Sequence, residues 1–467
     1  MTAVCTVLVI LGASFLIVKK YKAQAVLIGA GLLLFTAACL SGSGSILPEA
    51  ETTGFWMTDL FERLSRLTSK RIPSMGLNIM AVGGFAHYMD VIGASRALIR
   101  LTMPLLRRFR SPYVVMSLAW GLSMFLGLAI SSASGLAMLL MVTVYPILVS
   151  IGVSRISAAA VIATSLCLDW SPADAMTVYA ADLSRMDPVT YWHSFLAPVV
   201  VTLIPILALV HYAVQKTMDR RDGHEIIIRD REEIMLHLAP SREEGPHHRH
   251  PPLFFAILPV LPLVLVLSFS SIGFSHVRMN LPSAIGVSLF ISMILQWIIS
   301  KDGRKASDHI QDFFDGMGRQ MAHVMTIIIA GEFFAAGLSA TGLLHLLLEA
   351  AAGAEGRTFL LTAPSLLAAA GSVLMGSGNA AFFSFASLVP DLASAAGIDP
   401  VYMILPMNLI VGSARALSPI TGVVVVVSGM AGISPLELVK RTAIPMAASC
   451  LLILTSPFVF LFLGITP

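Results

Sequence analysis

The chain has 467 residues, of which 56% are hydrophobic and only 12% charged, with a formal net charge of +3 and a mean hydropathy of +0.84. Soluble domains carry roughly one quarter charged residues, so this composition excludes an ordinary soluble protein and indicates an all-α polytopic membrane protein. The basic residues gather at the ends of apolar stretches, which argues against nucleic acid as a partner and for the lipid bilayer.

The first apolar run, Val4 to Val18, has no basic residue ahead of it and is followed by Lys19-Lys20-Tyr21-Lys22 in place of a small-residue cleavage site, so it reads as a retained helix. Crossing a bilayer takes about 20 apolar residues. By that measure ten spanning helices are predicted, near 3–18, 24–45, 72–94, 154–183, 194–215, 252–272, 281–300, 320–342, 399–431 and 440–464. The runs 112–150 and 358–396 are too long for one span, and a polar tip cuts each near its middle. Both read as re-entrant hairpins, with tips at Ser131-Ser132-Ala133-Ser134-Gly135 and Gly376-Ser377-Gly378-Asn379.

Landmarks recur in the same order about half a chain apart. Gly83-Gly84-Phe85, the first tip, Pro146, Gly152 and Ser171-Pro172 are matched by Gly331-Glu332-Phe333, the second tip, Pro390, Gly397 and Ser418-Pro419. The halves are 1–216 and 252–467, joined by residues 217–251, which are charged, rich in His and expected to form a cytoplasmic linker. Scaffold helices fall in 1–50 and 252–300. Arms fall in 51–71 and 301–319, around the amphipathic stretches 55–70 and 308–319, and transport parts in 72–216 and 320–467. Lys19, Lys20 and Lys22, then Arg96, Arg100, Arg107, Arg108 and Arg110 in a loop before the first hairpin, then Lys301, Arg304 and Lys305, mark the cytoplasmic side. The two hairpins then open from opposite sides, an inverted-topology repeat. Arg66, Lys70 and Arg71 violate the charge rule locally.

A helix broken at membrane depth is tolerated only where it is buried in protein or faces a wet cavity. Small residues at a tip let helices pack closely, and they also let a ligand approach the main chain. The repetition of the tips favours a site, with Ser131, Ser132, Ser134, Gly135, Ser377, Gly378 and Asn379 as substrate contacts and the following helix N-termini suited to a carboxylate. The breaks Asp169-Trp170-Ser171-Pro172-Ala173-Asp174 and Arg415-Ala416-Leu417-Ser418-Pro419-Ile420-Thr421 each centre on a proline that frees a carbonyl one turn earlier, a possible cation ligand. Asp169, Ser171, Pro172 and Asp174 are therefore candidates for the coupling ion, proton or sodium. Arg415, Ser418, Pro419 and Thr421 are candidates for the substrate. Intramembrane charge is costly and marks pairs or pathways, which singles out Arg415, Asp169, Asp174 and Glu332. Arg415 fits a carboxylate through its planar fork, although an internal pair with Asp169 or Glu332 is the alternative. Asp90, His87 and His323 read as structural.

The chain is not expected to be an enzyme. It has no H-E-x-x-H, no G-x-S-x-G and no nucleotide loop ending in Lys-Ser or Lys-Thr. An aspartyl hydrolase built on Asp169 and Asp174 and an anion channel are the rival readings. No cofactor is called for. Neither Cys5, Cys39, Cys167 and Cys450, scattered in apolar segments, nor the solvated tract His247-His248-Arg249-His250 suggests a metal site. The residues themselves define a carrier for a small anionic solute.

Met80-Ala81-Val82-Gly83-Gly84-Phe85, Ser132-Ala133-Ser134-Gly135-Leu136, Met375-Gly376-Ser377-Gly378-Asn379-Ala380, Ala414-Arg415-Ala416-Leu417-Ser418-Pro419-Ile420-Thr421 and Val439-Lys440-Arg441-Thr442 together resemble the DcuC/DcuD family of C4-dicarboxylate carriers, along essentially the whole chain. The resemblance implies a multi-pass bacterial inner-membrane secondary transporter of succinate-, fumarate- or malate-like dianions. In the wider ion transporter superfamily it implies a homodimer moving substrate by an elevator motion. Asp169 and Asp174, where the DcuC branch looks apolar, bring the chain closer to the DcuD-like branch, and an acid near a dianion site calls for a proton or a cation.

Overall fold

The computed structural model describes residues 2–19, 21–41, 46–48, 51–106, 111–226, 252–269, 279–342 and 354–464. Among them every regular element is helical. Seven helical stretches are long and apolar enough to cross a bilayer, and shorter apolar helices, including Pro112–Leu126, Val401–Arg415 and Gly422–Ala431, add to them. Leu8, Leu11 and Phe15 near the N-terminus, Phe290 and Ile298 in mid-chain and Leu451 and Phe462 near the end are all exposed. A bilayer is the solvent that such faces suit.

The chain opens with α1 (Thr2–Val18) and α2 (Ala23–Ser41). An amphipathic helix, α3 (Trp56–Arg71), follows and runs through a π turn (Ile72–Gly76) straight into α4 (Leu77–Val91). The predicted span at 72–94 is thus the continuation of the arm. The stretch read as a loop is instead α5 (Ala94–Leu106), carrying Arg96 and Arg100. Its buried Ala94, Ala97 and Ile99 show why. Arginines four apart share one helical face, so they occupy the outer side and leave an apolar stripe for packing. Arg107, Arg108 and Arg110 lie outside the described residues.

The first hairpin is α6 (Pro112–Leu126) followed by α7 (Ala133–Thr143) and α8 (Tyr145–Ser150). The first broken helix is α9 (Arg155–Ala163) and α10 (Ala175–Leu183). Then α11 (Pro188–Tyr191), a π turn (Trp192–Leu196) and α12 (Ala197–Arg221) form one long stretch. It extends five residues, 217–221, into the segment read as linker. Asp219, fully buried, bonds Arg441 Nη1 at 2.8 Å, Ser154 Oγ at 2.7 Å and Tyr113 OH at 3.0 Å, so the helix end is held in protein. Linker residues 227–251, including the His tract, lie outside the described residues.

The second half repeats the order. A 3-10 turn (Leu253–Val260) leads to α13 (Leu261–Ser268), then come α14 (Leu281–Ser300) and the amphipathic α15 (Gly303–Gln320). Again a π turn (Met321–Met325) joins the arm to α16 (Thr326–Ala340). The second hairpin is α17 (Ala354–Met375), α18 (Gly378–Phe385) and α19 (Val389–Ala396). The second broken helix is α20 (Val401–Arg415) and α21 (Gly422–Ala431). The last helix, α22 (Pro435–Leu463), starts before its apolar run because Ser434 and Glu437 form a capping box.

Every residue of α20 from Val401 to Ala414 is buried, so this broken helix is wrapped by protein. Two of the three charge-rule violators, Arg66 and Arg71, have ion-pair partners. Arg66 pairs with Glu51 and, at 2.7 Å, with Glu62. Arg71 is 2.5 Å from Asp182 and 2.8 Å from the buried Glu332, which also accepts from Tyr179 OH at 3.0 Å.

Candidate functional site

The two breaks meet back to back. At Gly412 a Cβ would come within 2.5 Å of Cys167 O, so only glycine lets α20 approach the backbone of the first break this closely. Ser413 Oγ donates to the same carbonyl at 3.2 Å. Beside them Arg415 Nη2 donates to Leu166 O at 2.5 Å and lies 3.2 Å from Asp169 Oδ2. Leu166 has a φ of 61°, a conformation that turns its backbone out of the helix. Each tip seats against a break: a Cβ on Gly378 would meet Val411 O at 2.9 Å, and one on Gly422 would sit 3.5 Å from Ser134 Oγ.

Beside these contacts lies an open cavity of about 500 Å³. Ser131, Ser132 and Ser134 from the first tip, Asp169 and Asp174 from the first break, Ser377, Gly378 and Asn379 from the second tip, and Arg415 and Thr421 from the second break all line it. Four helices begin at its wall. Ser132 caps α7 by accepting from Gly135 N at 3.1 Å, Asp174 caps α10 by accepting from Met176 N at 2.8 Å, and Ser377 caps α18 by accepting from Ala380 N at 3.3 Å. Thr421 precedes α21. Helix N-termini present backbone N–H groups and a partial positive charge, a combination that suits anions. Two guanidiniums, Arg415 and Arg319, join them on the lining.

The remaining sequence candidates stand behind the wall. Gly135 serves the Ser132 cap, and Ser171 Oγ donates to Leu128 O at 3.0 Å. Pro172, Ser418 and Pro419 are also absent from the lining. Ser418 is fully buried and its Oγ has no partner among the described residues. Carbonyls freed at the breaks find protein donors: Arg415 O takes Thr421 Oγ1 at 2.5 Å, and Ala416 O takes Thr442 Oγ1 at 2.8 Å. Of the two readings of Arg415, the internal pair with Asp169 is the one observed, and it lies at the cavity wall. Glu332 is elsewhere, with Arg71.

By sequence His87, Asp90 and His323 are structural and Arg319 belongs to the arm 301–319. Instead all four line the cavity, together with Gly83, Gly316 and Gln320. The reason is the crossing of α15 over α4, where a Cβ on Gly316 would stand 2.7 Å from Gly84 Cα and 2.9 Å from Gly83 O. The glycine pattern was the available signal. Among the described residues no cluster of His, Cys, Asp and Glu is arranged to hold a metal ion.

Broken helices whose N-termini meet two guanidiniums at a polar cavity, in a chain of apolar spans, define the class of membrane carriers for anionic solutes. The family model described as DcuC, C4-dicarboxylate anaerobic carrier, matches residues 1–463. Among relatives, the anaerobic C4-dicarboxylate transporter DcuC of Escherichia coli (strain K12) is 33% identical over 454 residues, 96% of this chain and 95% of its own length. The protein of the same name from Shigella flexneri matches at the same identity and coverage. The chain belongs to the DcuC family, a family of carriers and not of enzymes.

Proposed function

We propose that this protein is a secondary active transporter of C4-dicarboxylates, succinate-, fumarate- or malate-like dianions, across the bacterial inner membrane. One observation carries the reading beyond family membership: four helix starts and two arginines face one cavity, with Asp169 beside Arg415. Cationic donors receive the carboxylates. Asp169 competes with substrate for Arg415, so its protonation, or a cation in its place, would free the guanidinium for the anion. That link makes a proton or sodium gradient a usable driving force for symport, efflux or exchange. An elevator motion of the hairpins and broken helices against scaffold helices, in a homodimer with inverted halves, is the form of alternating access proposed.

The test is uptake of labelled dicarboxylates into proteoliposomes under imposed proton or sodium gradients. Arg415→Lys, which keeps the charge and loses the fork, should weaken transport by about 10- to 100-fold. A variant that folds and keeps wild-type apparent affinity would remove Arg415 from the substrate site. Asp169→Asn mimics the protonated acid and should exchange substrate while losing gradient-driven accumulation. Accumulation at the wild-type rate would rule out its coupling role. Loss of both activities, restored when Arg415 is also made neutral, would reduce the pair to a structural one.

A further inference from the structure

Arg415 meets one carboxylate, and a C4-dicarboxylate has two. The cavity's other guanidinium belongs to Arg319, on α15, an element separate from the tips and breaks. Three buried or half-buried guanidiniums are matched by carboxylates, Arg415 by Asp169, Arg71 by Glu332 and Asp182, Arg441 by Asp219 and Asp222, whereas Arg319 is exposed at the cavity. Arg319 is different. Among the described residues no carboxylate lies within 4 Å of it, and its Nη2 is 2.7 Å from His87 Nε2.

A guanidinium has only donors, so in this contact His87 Nε2 is the acceptor. The bond uses one N–H of the five and neutralises no charge. It fixes the direction of a long side chain that would otherwise lose several rotamers on binding. Gly316 stands one turn before Arg319 on the same helical face, and its close approach to α4 sets the guanidinium against the cavity. Two acids are near in sequence: Asp315, four residues before Arg319, takes a hydrogen bond from Gln311 Nε2 at 2.9 Å, and Asp90, three residues beyond His87, takes one from Ser95 Oγ at 2.6 Å.

We infer that Arg319, held by His87, binds the second carboxylate of the substrate and thereby separates dicarboxylates from monocarboxylates. The inference rests on the dicarboxylate reading above. A dianion spans both guanidiniums, whereas a monoanion engages Arg415 and leaves Arg319 unused. Arg319 touches substrate, and His87 is a positioning residue.

The experiment measures exchange of labelled succinate by the purified full-length protein in proteoliposomes, with succinate and butyrate as competing unlabelled solutes. Arg319→Gln should raise the KM for succinate by about 10- to 100-fold, the worth of a hydrogen bond to a charged group, with the maximal rate little changed. Butyrate inhibition should be unchanged. Arg319→Lys, which keeps charge and length and so serves if the Gln variant does not fold, should raise the KM severalfold. His87→Gln, whose side-chain carbonyl can still accept, should stay nearer to wild type than His87→Leu. A wild-type KM for succinate in Arg319→Gln or Arg319→Lys, or equal losses for succinate and butyrate, overturns the subsite while leaving the carrier reading intact. Wild-type protein that exchanges no dicarboxylate overturns that reading, and the subsite falls with it.

Discussion

The two arms, α3 and α15, occupy the same place in the order of their halves and end in the same way, yet they are held by opposite means. Each runs through a π turn into a membrane helix, and the last residue before the turn reaches the other half. From α3, Arg71 pairs with Glu332, the seventh residue of α16, which starts at 326. From α15, Gln320 lies over Gly83, the seventh residue of α4, which starts at 77: a Cβ there would be 2.0 Å from the Gln320 side chain. One crossing is therefore closed by charge and away from the cavity. The other is smoothed by glycine and forms the cavity wall. A repeated framework can carry unequal chemistry when single side chains at equivalent crossings differ, and the open crossing is the one without an ion pair to separate.

The sharpest way to break this comparison is to remove the charge. Arg71 and Glu332 are 17% and 7% exposed, so Arg71→Met leaves a carboxylate in protein with only Tyr179 OH and no cation. Losing one partner of such a buried pair costs about 3–5 kcal/mol. The double variant Arg71→Met/Glu332→Gln should recover much of that loss. Gln320→Ala, its counterpart on α15, should cost less than about 1 kcal/mol. Thermal unfolding of detergent-solubilised protein reads all three, and equal losses at Arg71 and Gln320 would show that the crossings are not energetically different.

The glycine crossing gives a smaller effect. In Gly316→Ala the new Cβ meets the backbone of Gly84 and the Cβ of His87, at 2.7 and 2.8 Å, with no flexible chain end to yield. Overpacking of that kind costs about 1–3 kcal/mol. Because the shift also moves Arg319, the KM for dicarboxylate should rise with it. A stability loss without any KM change would separate the arm's seat from the cavity.

How much of this was legible follows from where each residue's signal lies. Ser131, Ser132, Ser377 and Asn379 interrupt apolar runs, so the tips stood out by contrast. Asp169, Asp174 and Arg415 stood out as charge in apolar context. The helix starting at Ala94 was hidden because three arginines follow it closely at 107–110, and Arg96 and Arg100 read as part of the same basic loop. Arg319 was hidden for the opposite reason: on an amphipathic helix a polar residue is expected to face water, and sequence cannot tell bulk water from a wet cavity. His87 and Asp90 acquired their place only from the crossing with α15, a contact between residues more than two hundred positions apart. Gly83, Gly84 and Gly316 were visible as glycines, but their shared contact required coordinates.

The mildest test concerns how α3 begins. Asp59, in its first turn, accepts from Thr52 Oγ1 at 2.6 Å, from Thr53 N at 2.7 Å and from Thr53 Oγ1 at 2.7 Å. Those bonds favour the ionised form, the Thr52 hydroxyl most of all, and hold the carboxyl below the usual carboxylate range. A folded-state pKa below the unfolded one means that the stabilisation is present above the unfolded value, about 3.9, and is lost as pH falls through the folded value. At neutral pH the anchor is therefore fully formed. Asp59→Asn keeps the shape and removes the charge, so at pH 7 amide hydrogen exchange should quicken at residues 53–59 and stay unchanged at 303–309, the start of α15. Acidifying wild-type protein from pH 5 toward pH 3 should bring residues 53–59 toward the variant's rates. Faster exchange at both helix starts in the variant would mean that the arms are coupled through the membrane helices. Unchanged exchange at both would mean that the Thr52 and Thr53 bonds do not hold α3 in place, leaving Arg71 and Glu332 as the contact that distinguishes the two arms.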